Sequence, residues 1–256
     1  MSRTDDPKSP ADDLALSRDG DVAILTINRP AKRNAMTLAM WQRLPSLLGG
    51  LGDARVLVVT GAGEHFCAGA DIGEFGETRS TPAAADNYRQ VVDTAESTLS
   101  AIEIPVIAAI RGVCIGGGME IALGCDLRFA APDARFGITA AKLGVVYGVG
   151  ASRRLTTAVG AMWAKYILLS GEIFDVPLAE RMGLLTEITG DPFGEAVRLA
   201  HLMASRSPYT QRASKLAIDQ FGQVETLDAP DLTELTEQAV NADYYQQAVA
   251  RFNSKG

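Results

Sequence analysis

Histidine is scarce in this chain of 256 residues: only His65 and His201 occur, far apart. That excludes a histidine-rich metal site, and a Ser-His-Asp or Cys-His site would have to use one of those two. Cysteine is also sparse. Cys67, Cys114 and Cys125 are odd in number, form no CxxC pair, and sit in apolar or glycine-rich stretches. They read as reduced, buried thiols of a cytoplasmic protein, not as a disulfide framework. Long apolar runs are missing too: uncharged stretches reach only about ten residues, too short to span a membrane. The segment from Met1 to Asp13 has no apolar stretch of the kind a secretory signal needs. Positive charge is in the minority, with 24 basic against 31 acidic residues and a net charge of −7. This balance argues against nucleic acid as a partner. There is no internal repeat and no low-complexity tract.

What is present is ordinary globular material, 47% hydrophobic and 21% charged, long enough for one large domain or two ordinary ones. Leu14–Ser17 and Val22–Ile27 predict a hairpin around Asp19-Gly20. Thr37 predicts the cap of a helix reaching Leu51, with Pro45 as an internal blemish. Val56–Thr60 and Val106–Ile110 are continuous apolar runs of the kind found in buried parallel strands. Residues 83–103 predict a helix, another begins at Gly117 or Gly118, and Leu127–Ala130 predicts a further strand. This alternation indicates an α/β core. From Ser152 onward the pattern is helical, over Ala161–Ser170, Pro177–Met182, Pro192–Ser205, Ser207–Phe221 and Thr233–Phe252, with few strand signals.

The 25 glycines cluster in two turns that each follow a strand. The first, Gly61-Ala62-Gly63-Glu64-His65-Phe66-Cys67-Ala68-Gly69-Ala70-Asp71, lacks the third glycine of a dinucleotide fingerprint. The second, Gly112-Val113-Cys114-Ile115-Gly116-Gly117-Gly118-Met119-Glu120, is not a phosphate loop, because no Gly-Lys-Ser/Thr follows. Both can present backbone N–H groups at the end of a strand, and one N–H from each could grip a single developing oxyanion. Equally, the glycines can serve only close packing of strand on helix.

Several blocks occur in a characteristic order: Asn28-Arg29-Pro30-x-x-x-Asn34-Ala35, Phe66-Cys67-Ala68-Gly69-Ala70-Asp71, and Gly116-Gly117-Gly118-Met119-Glu120 through Cys125-Asp126. Phe136-Gly137, Leu143-Gly144 and Gly148-x-Gly150 leading to Arg154-Leu155 follow. Together they resemble the crotonase (enoyl-CoA hydratase/isomerase) superfamily over residues 14–221, and more loosely over the final helix. The resemblance implies an α/β fold with a ββα-spiral core over residues 13–200, after a flexible tail at 1–12. A C-terminal helical oligomerisation region over 201–256 would build a homotrimer or a dimer of trimers. It implies acyl-coenzyme A thioesters as substrates, with coenzyme A part of the substrate and no further cofactor or metal. It also implies an oxyanion hole from the N–H groups of Ala70 and Gly117. Lys32, Arg33, Ala68, Asp71 and Ile72 would lie along the coenzyme. Asp71 also reads as the cap of the turn it opens, and Lys32 and Arg33 as solvated charge. Coenzyme A is polyanionic, so a protein of this charge must meet it with local positive residues.

Glu120 stands where the family's hydratases carry one catalytic glutamate; alone, it would read as a carboxylate favoured in the first turn of a helix. The second hydratase glutamate has no counterpart, since the matching position is Ala140. Adding water across a conjugated double bond needs both activation of water and protonation of carbon, work that paired carboxylates divide. Hydration with one carboxylate, isomerisation by a single base, and decarboxylation of a methylmalonyl-type thioester using Glu120 and Tyr147 therefore all stay open. Tyr147 stands where the family's methylmalonyl-CoA decarboxylases carry a tyrosine, and it reads equally as an aromatic packed under the acyl pocket. A non-catalytic acyl-CoA binder or assembly subunit is the alternative of a different kind.

Overall fold

In the computed structural model, residues 13–220 and isolated positions beyond them are described; the tail at 1–12 and most of the final helix expected at Thr233–Phe252 lie outside the described residues. Strands β1 (Leu14–Asp19) and β2 (Val22–Ile27) pair antiparallel with Asp19 opposite Val22. Only Gly20 and Asp21 turn the chain, and Gly20 takes the positive φ of +59° that a two-residue hairpin asks for. Helix α1 (Leu38–Leu48) starts at Thr37, whose hydroxyl accepts from Met40 N at 3.2 Å. It runs through Pro45 and stops short of Leu51. Strand β3 (Val56–Gly61) is followed by the short α2 (Phe75–Thr78), then by α3 (Pro82–Ser100) and β4 (Val106–Ile110). Next come β5 (Val113–Ile115), α4 (Gly117–Leu123), β6 (Leu127–Ala130), β7 (Arg135–Gly137) and the single turn α5 (Ala140–Leu143). The remaining elements are α6 (Val149–Ser170), β8 (Ile173–Asp175), α7 (Val176–Arg181), β9 (Glu187–Ile188), α8 (Pro192–Ala204) and α9 (Pro208–Gln220).

The main sheet has the order β1-β2-β3-β4-β6-β9, parallel throughout except for the β1–β2 hairpin. Its central strands are covered on both faces. Val56 and Val58 pack with the alanine stripe Ala196, Ala200 and Ala204 of α8, while Leu57 and Val59 point into the larger core with α1, α3 and α4. Burial on both faces is why β3 reads as an unbroken apolar run instead of an alternating one. Helix α8 lies against this sheet, so residue 200 falls inside an element. Helix α9 is tied back through Lys215 Nζ, which donates to Asp126 Oδ2 at 2.8 Å; the same carboxylate oxygen accepts from Val106 N at 2.7 Å.

A second sheet, β5-β7-β8, was not foreseen. Each of its strands is three residues long, too short for any period to show. Helix α6 is two helices joined at Gly160, where helical geometry breaks (φ +77°): the second is the expected Ala161–Ser170, and the first, from Val149, precedes it. Among the described residues no helix is long and apolar enough to cross a membrane.

Candidate active site

The two glycine turns lie against each other. Cys67 N donates to Val113 O at 2.9 Å and Ile115 N donates to Cys67 O at 3.0 Å, so the first turn pairs with β5 of the second. Glycine is required at the contact. A Cβ on Gly69 (φ +98°) would lie 2.8 Å from Ile115 O and 3.3 Å from Gly117 N, and one on Gly118 would collide with the Cys67 carbonyl. Around Ala70, Met36 N donates to Gly69 O at 2.7 Å and Asp71 N to Met36 O at 2.8 Å. The intervening Ala70 N–H has no acceptor among the described residues, and neither has Gly117 N–H, which opens α4 where helical N–H groups lack intrahelical partners. Buried Asn34 supports the first turn from below: its Nδ2 donates to Ala62 O (2.9 Å) and His65 O (2.5 Å), and its Oδ1 accepts from Arg29 N (2.9 Å).

Both turns open onto one cavity. Ala68, Ala70, Ile72, Gly117, Glu120, Ala140 and Tyr147 all line it. Lys32, Arg33 and Asp71 do not. Lys32 and Arg33 are exposed on a neighbouring turn, connected by a 2.9 Å hydrogen bond from Ala68 N to Arg33 O. Asp71 is held by Arg29 Nη1 at 3.0 Å and accepts from Gly73 N at 3.1 Å, so its carboxylate is occupied in shaping the turn. Of the Met36, Met40 and Trp41 cluster, all three are core residues and Trp41 alone also lines the cavity. His65 is half-buried, not exposed, and its Nδ1 accepts from Val113 N at 3.4 Å. Burial pushes the Cys67 thiol up to about 12, which keeps it protonated and unreactive at neutral pH.

Glu120 lies one turn into α4, and the structure adds to it a group that the motif reading did not find. Glu96, on α3, lines the same cavity and is only 2% exposed. Its Oε2 pairs with Arg154 of α6, and its Oε1 has no partner in hydrogen-bonding geometry unless a proton is present. Glu120 keeps some surface toward the cavity but is otherwise ringed by protein, and burial pushes its carboxyl above the ordinary range, against the pull of Glu96, Tyr147 and Arg154. Glu96 is raised as well, first by burial and then by the charge of Glu120. Two buried carboxyls that perturb each other titrate as a unit, and a hydrogen bond between them requires one to hold a proton. The Tyr147 hydroxyl is shielded from solvent without a hydrogen-bonding partner, and burial followed by the charges of Glu120 and Glu96 raises it well above the normal phenol range. Among the described residues no cluster of three or more His, Cys, Asp or Glu side chains is placed to hold a metal ion.

A signal for Glu96 does exist in the sequence. It falls on the buried stripe of α3 with Tyr88, Ala95 and Leu99, where a charged residue is out of place unless paired.

From residue 17 to 252 the chain matches the family described as enoyl-CoA hydratase/isomerase. The chain belongs to that family. Among similar proteins, the 2,3-dehydroadipyl-CoA hydratase of Escherichia coli (strain K12) is 35% identical over 217 residues, covering 83% of this chain and 84% of the relative. The short-chain-enoyl-CoA hydratase of Clostridium acetobutylicum is 34% identical over 213 residues, covering 81% of each. The crystal structure of an enoyl-CoA hydratase/isomerase family protein from Hyphomonas neptunium superposes with a TM-score of 0.91 at 32% identity, covering 97% of both chains. The fold is thus the spiral α/β fold of the enoyl-CoA hydratase/isomerase family.

Proposed function

We propose that this protein hydrates or isomerises enoyl-coenzyme A thioesters, with Ala70 N–H and Gly117 N–H binding the thioester oxygen and Glu120 moving the proton. The observation that carries this reading is the convergence of two unpaired backbone N–H groups and a buried carboxyl on one cavity. In hydration the oxygen of water bonds to the β carbon while the Glu120 carboxylate takes the water proton. The π pair moves through the chain onto the thioester oxygen, where the two N–H dipoles stabilise the enolate. As the enolate collapses, Glu120 returns the proton to the α carbon. Such preorganised donors are worth roughly 2.7–4 kcal/mol each in studied hydrolases. In isomerisation the same carboxylate carries one proton between two carbons.

Glu96 does not replace the carboxyl absent at Ala140, because it adjoins Glu120. A proton on Glu96 Oε1 would satisfy that otherwise unpartnered atom, donate to Glu120 and leave Glu120 ionised as the base, while Oε2 keeps Arg154. Ile72 at the cavity mouth, with Ala68 and the exposed Lys32 and Arg33 beside it, forms the coenzyme path in this reading. Trimeric assembly is favoured by the exposed apolar side chains Val146, Val149, Met162 and Leu169, which suit a subunit contact better than water.

One observation favours a second reading, decarboxylation of a methylmalonyl-type thioester: the unpartnered Tyr147 hydroxyl beside Glu120. Incubation with mixed acyl-CoA thioesters, followed by mass spectrometry, decides among the readings. Gain of water, unchanged mass with altered retention, and loss of carbon dioxide identify the three chemistries. Coenzyme binding with no conversion of any thioester would overturn the enzymatic reading.

A further inference from the structure

Arg79 differs from the other arginines around the cavity. Arg89 is paired with Asp86 at 2.6 Å and Asp93 at 2.9 Å, and Arg154 with Glu96. Arg79 lines the cavity, forms no ion pair among the described residues, and keeps its Nε buried without a partner in hydrogen-bonding geometry. It is nonetheless firmly held. Its guanidinium carbon lies 4.5 Å from the centroid of the Phe75 ring and 4.2 Å from that of Tyr88, and the two rings meet edge to face at 6.3 Å. Both rings also line the cavity. The guanidinium and the proton-handling Glu120 carboxyl line the same cavity. Trp41 Nε1, in the same lining, is buried near the Tyr88 phenol but in no good hydrogen-bonding geometry.

An orphaned buried donor is costly, and a charged one more so. An arginine clamped by aromatic rings is oriented before any ligand arrives, and its fork matches a carboxylate. We infer that Arg79 receives a carboxylate at the far end of the acyl chain, so that the site selects acyl thioesters carrying a second, terminal acid group over uncharged chains. This rests on the acyl-thioester reading above and narrows its substrate class. A coenzyme phosphate offers the same oxyanion chemistry, and the test separates the two sources.

Binding of three ligands is measured by calorimetry: hexanoyl-CoA, its terminal-acid counterpart adipyl-CoA, and free coenzyme A. The proteins are wild type, Arg79→Gln and Arg79→Lys. Arg79→Gln should weaken adipyl-CoA by roughly 10- to 100-fold, the range of a charge-assisted hydrogen bond. Hexanoyl-CoA and free coenzyme A should change by less than about threefold, which also shows that the variant is folded. Arg79→Lys should fall between, keeping the charge but losing the fork. Equal weakening of all three ligands would assign Arg79 to the coenzyme or to the wall, and no change in any would make it a bystander; either result overturns the inference. Saturated esters bind without turnover, so a failure of Arg79 to discriminate is distinct from a failure to hydrate. Failure of every coenzyme ester to bind wild type would sink the acyl-thioester reading and this inference with it.

Discussion

The wall of the cavity formed by residues 68–70 and 116–117 presents peptide N–H groups, whereas the wall formed by α3 and the loop before α6 presents the Glu96 carboxyl, backed by Arg154 of α6, and a phenol. The first is held by backbone hydrogen bonds at 2.7–3.0 Å and by glycines that admit no Cβ. Its charge pattern cannot titrate. The second is held by an ion pair and by coupled protonation, and its pattern changes with pH. Glu120 joins the two, one helical turn from Gly117 and against Glu96. The difference teaches that the N–H wall should fail by displacement and the side-chain wall by loss of charge or proton.

The largest effect should come where the walls meet. Glu120→Gln removes the group assigned to carry the proton, so kcat should fall roughly a hundred- to ten-thousand-fold, the usual span for a general acid–base residue. Affinity for a saturated acyl-CoA should change little. A variant with full turnover would remove Glu120 from its role.

Next comes the N–H wall. A Cβ on Gly117 would lie 2.8 Å from Trp41 Cζ2, so Gly117→Ala must shift either the donor or the indole. A displacement of the order of 1 Å at an oriented site costs about a hundredfold in rate. The loss should be the same across the pH range, because nothing on that wall ionises. A loss that depends steeply on pH would show that the two walls are not separable in this way.

Glu96→Gln acts on the other wall, with a smaller effect on rate, about tenfold, and a larger one on pH dependence. In the unfolded chain both carboxyls ionise near the usual value of about 4.3, while in the folded chain burial holds at least one proton to higher pH. Between those values the native state binds more protons than the unfolded state, so this pair's contribution to stability is full at low pH and lost as pH rises. Glu96→Gln mimics the protonated carboxyl and removes its share of that slope. The variant should therefore lose less stability than wild type between pH 5 and pH 8. Thermal unfolding at a series of pH values tests this, and parallel curves for the two proteins would contradict it.

The two walls also differ in how far they could be read from residues alone. Ala70, Gly117 and Glu120 sit in short contiguous blocks, because a backbone donor needs glycine at fixed neighbours and a helix start at a fixed place. The glycines at 69 and 118 are demanded by contact with Ile115 and Cys67, so the constraint leaves a local mark. Glu96 and Arg154 are 58 residues apart and meet only because α3 packs against α6. No spacing rule links them, and only the misplaced charge on the apolar stripe of α3 hints at the pair. Arg79 is similar: its ring partners Phe75 and Tyr88 come from two helices separated by a turn. In the fold, the long strands β2, β3 and β4 announce themselves by burial on both faces. The three-residue strands β5, β7 and β8 are defined by what they pair with, not by their composition.

The smallest effect should come from Tyr147→Phe, and it is the one that separates the chemistries. The hydroxyl is buried beside Glu120 but outside good hydrogen-bonding geometry, so its removal takes little from that carboxyl, and stability should change by no more than about 1 kcal/mol. If Glu120 alone moves the proton of water, the ring still packs against the cavity and hydration should stay within about threefold of wild type. Decarboxylation has no water proton to move and relies on whatever donor faces the forming enolate, and there the loss of the hydroxyl should cost about tenfold or more, as for a lost hydrogen bond to a charged group. Steady-state rates of wild type and variant on an enoyl thioester and on a malonyl-type thioester, measured in parallel, give both numbers. A hydration rate that collapses in the phenylalanine variant would place the phenol in the proton path beside Glu120, and the assignment of that path to a single carboxyl would then be wrong.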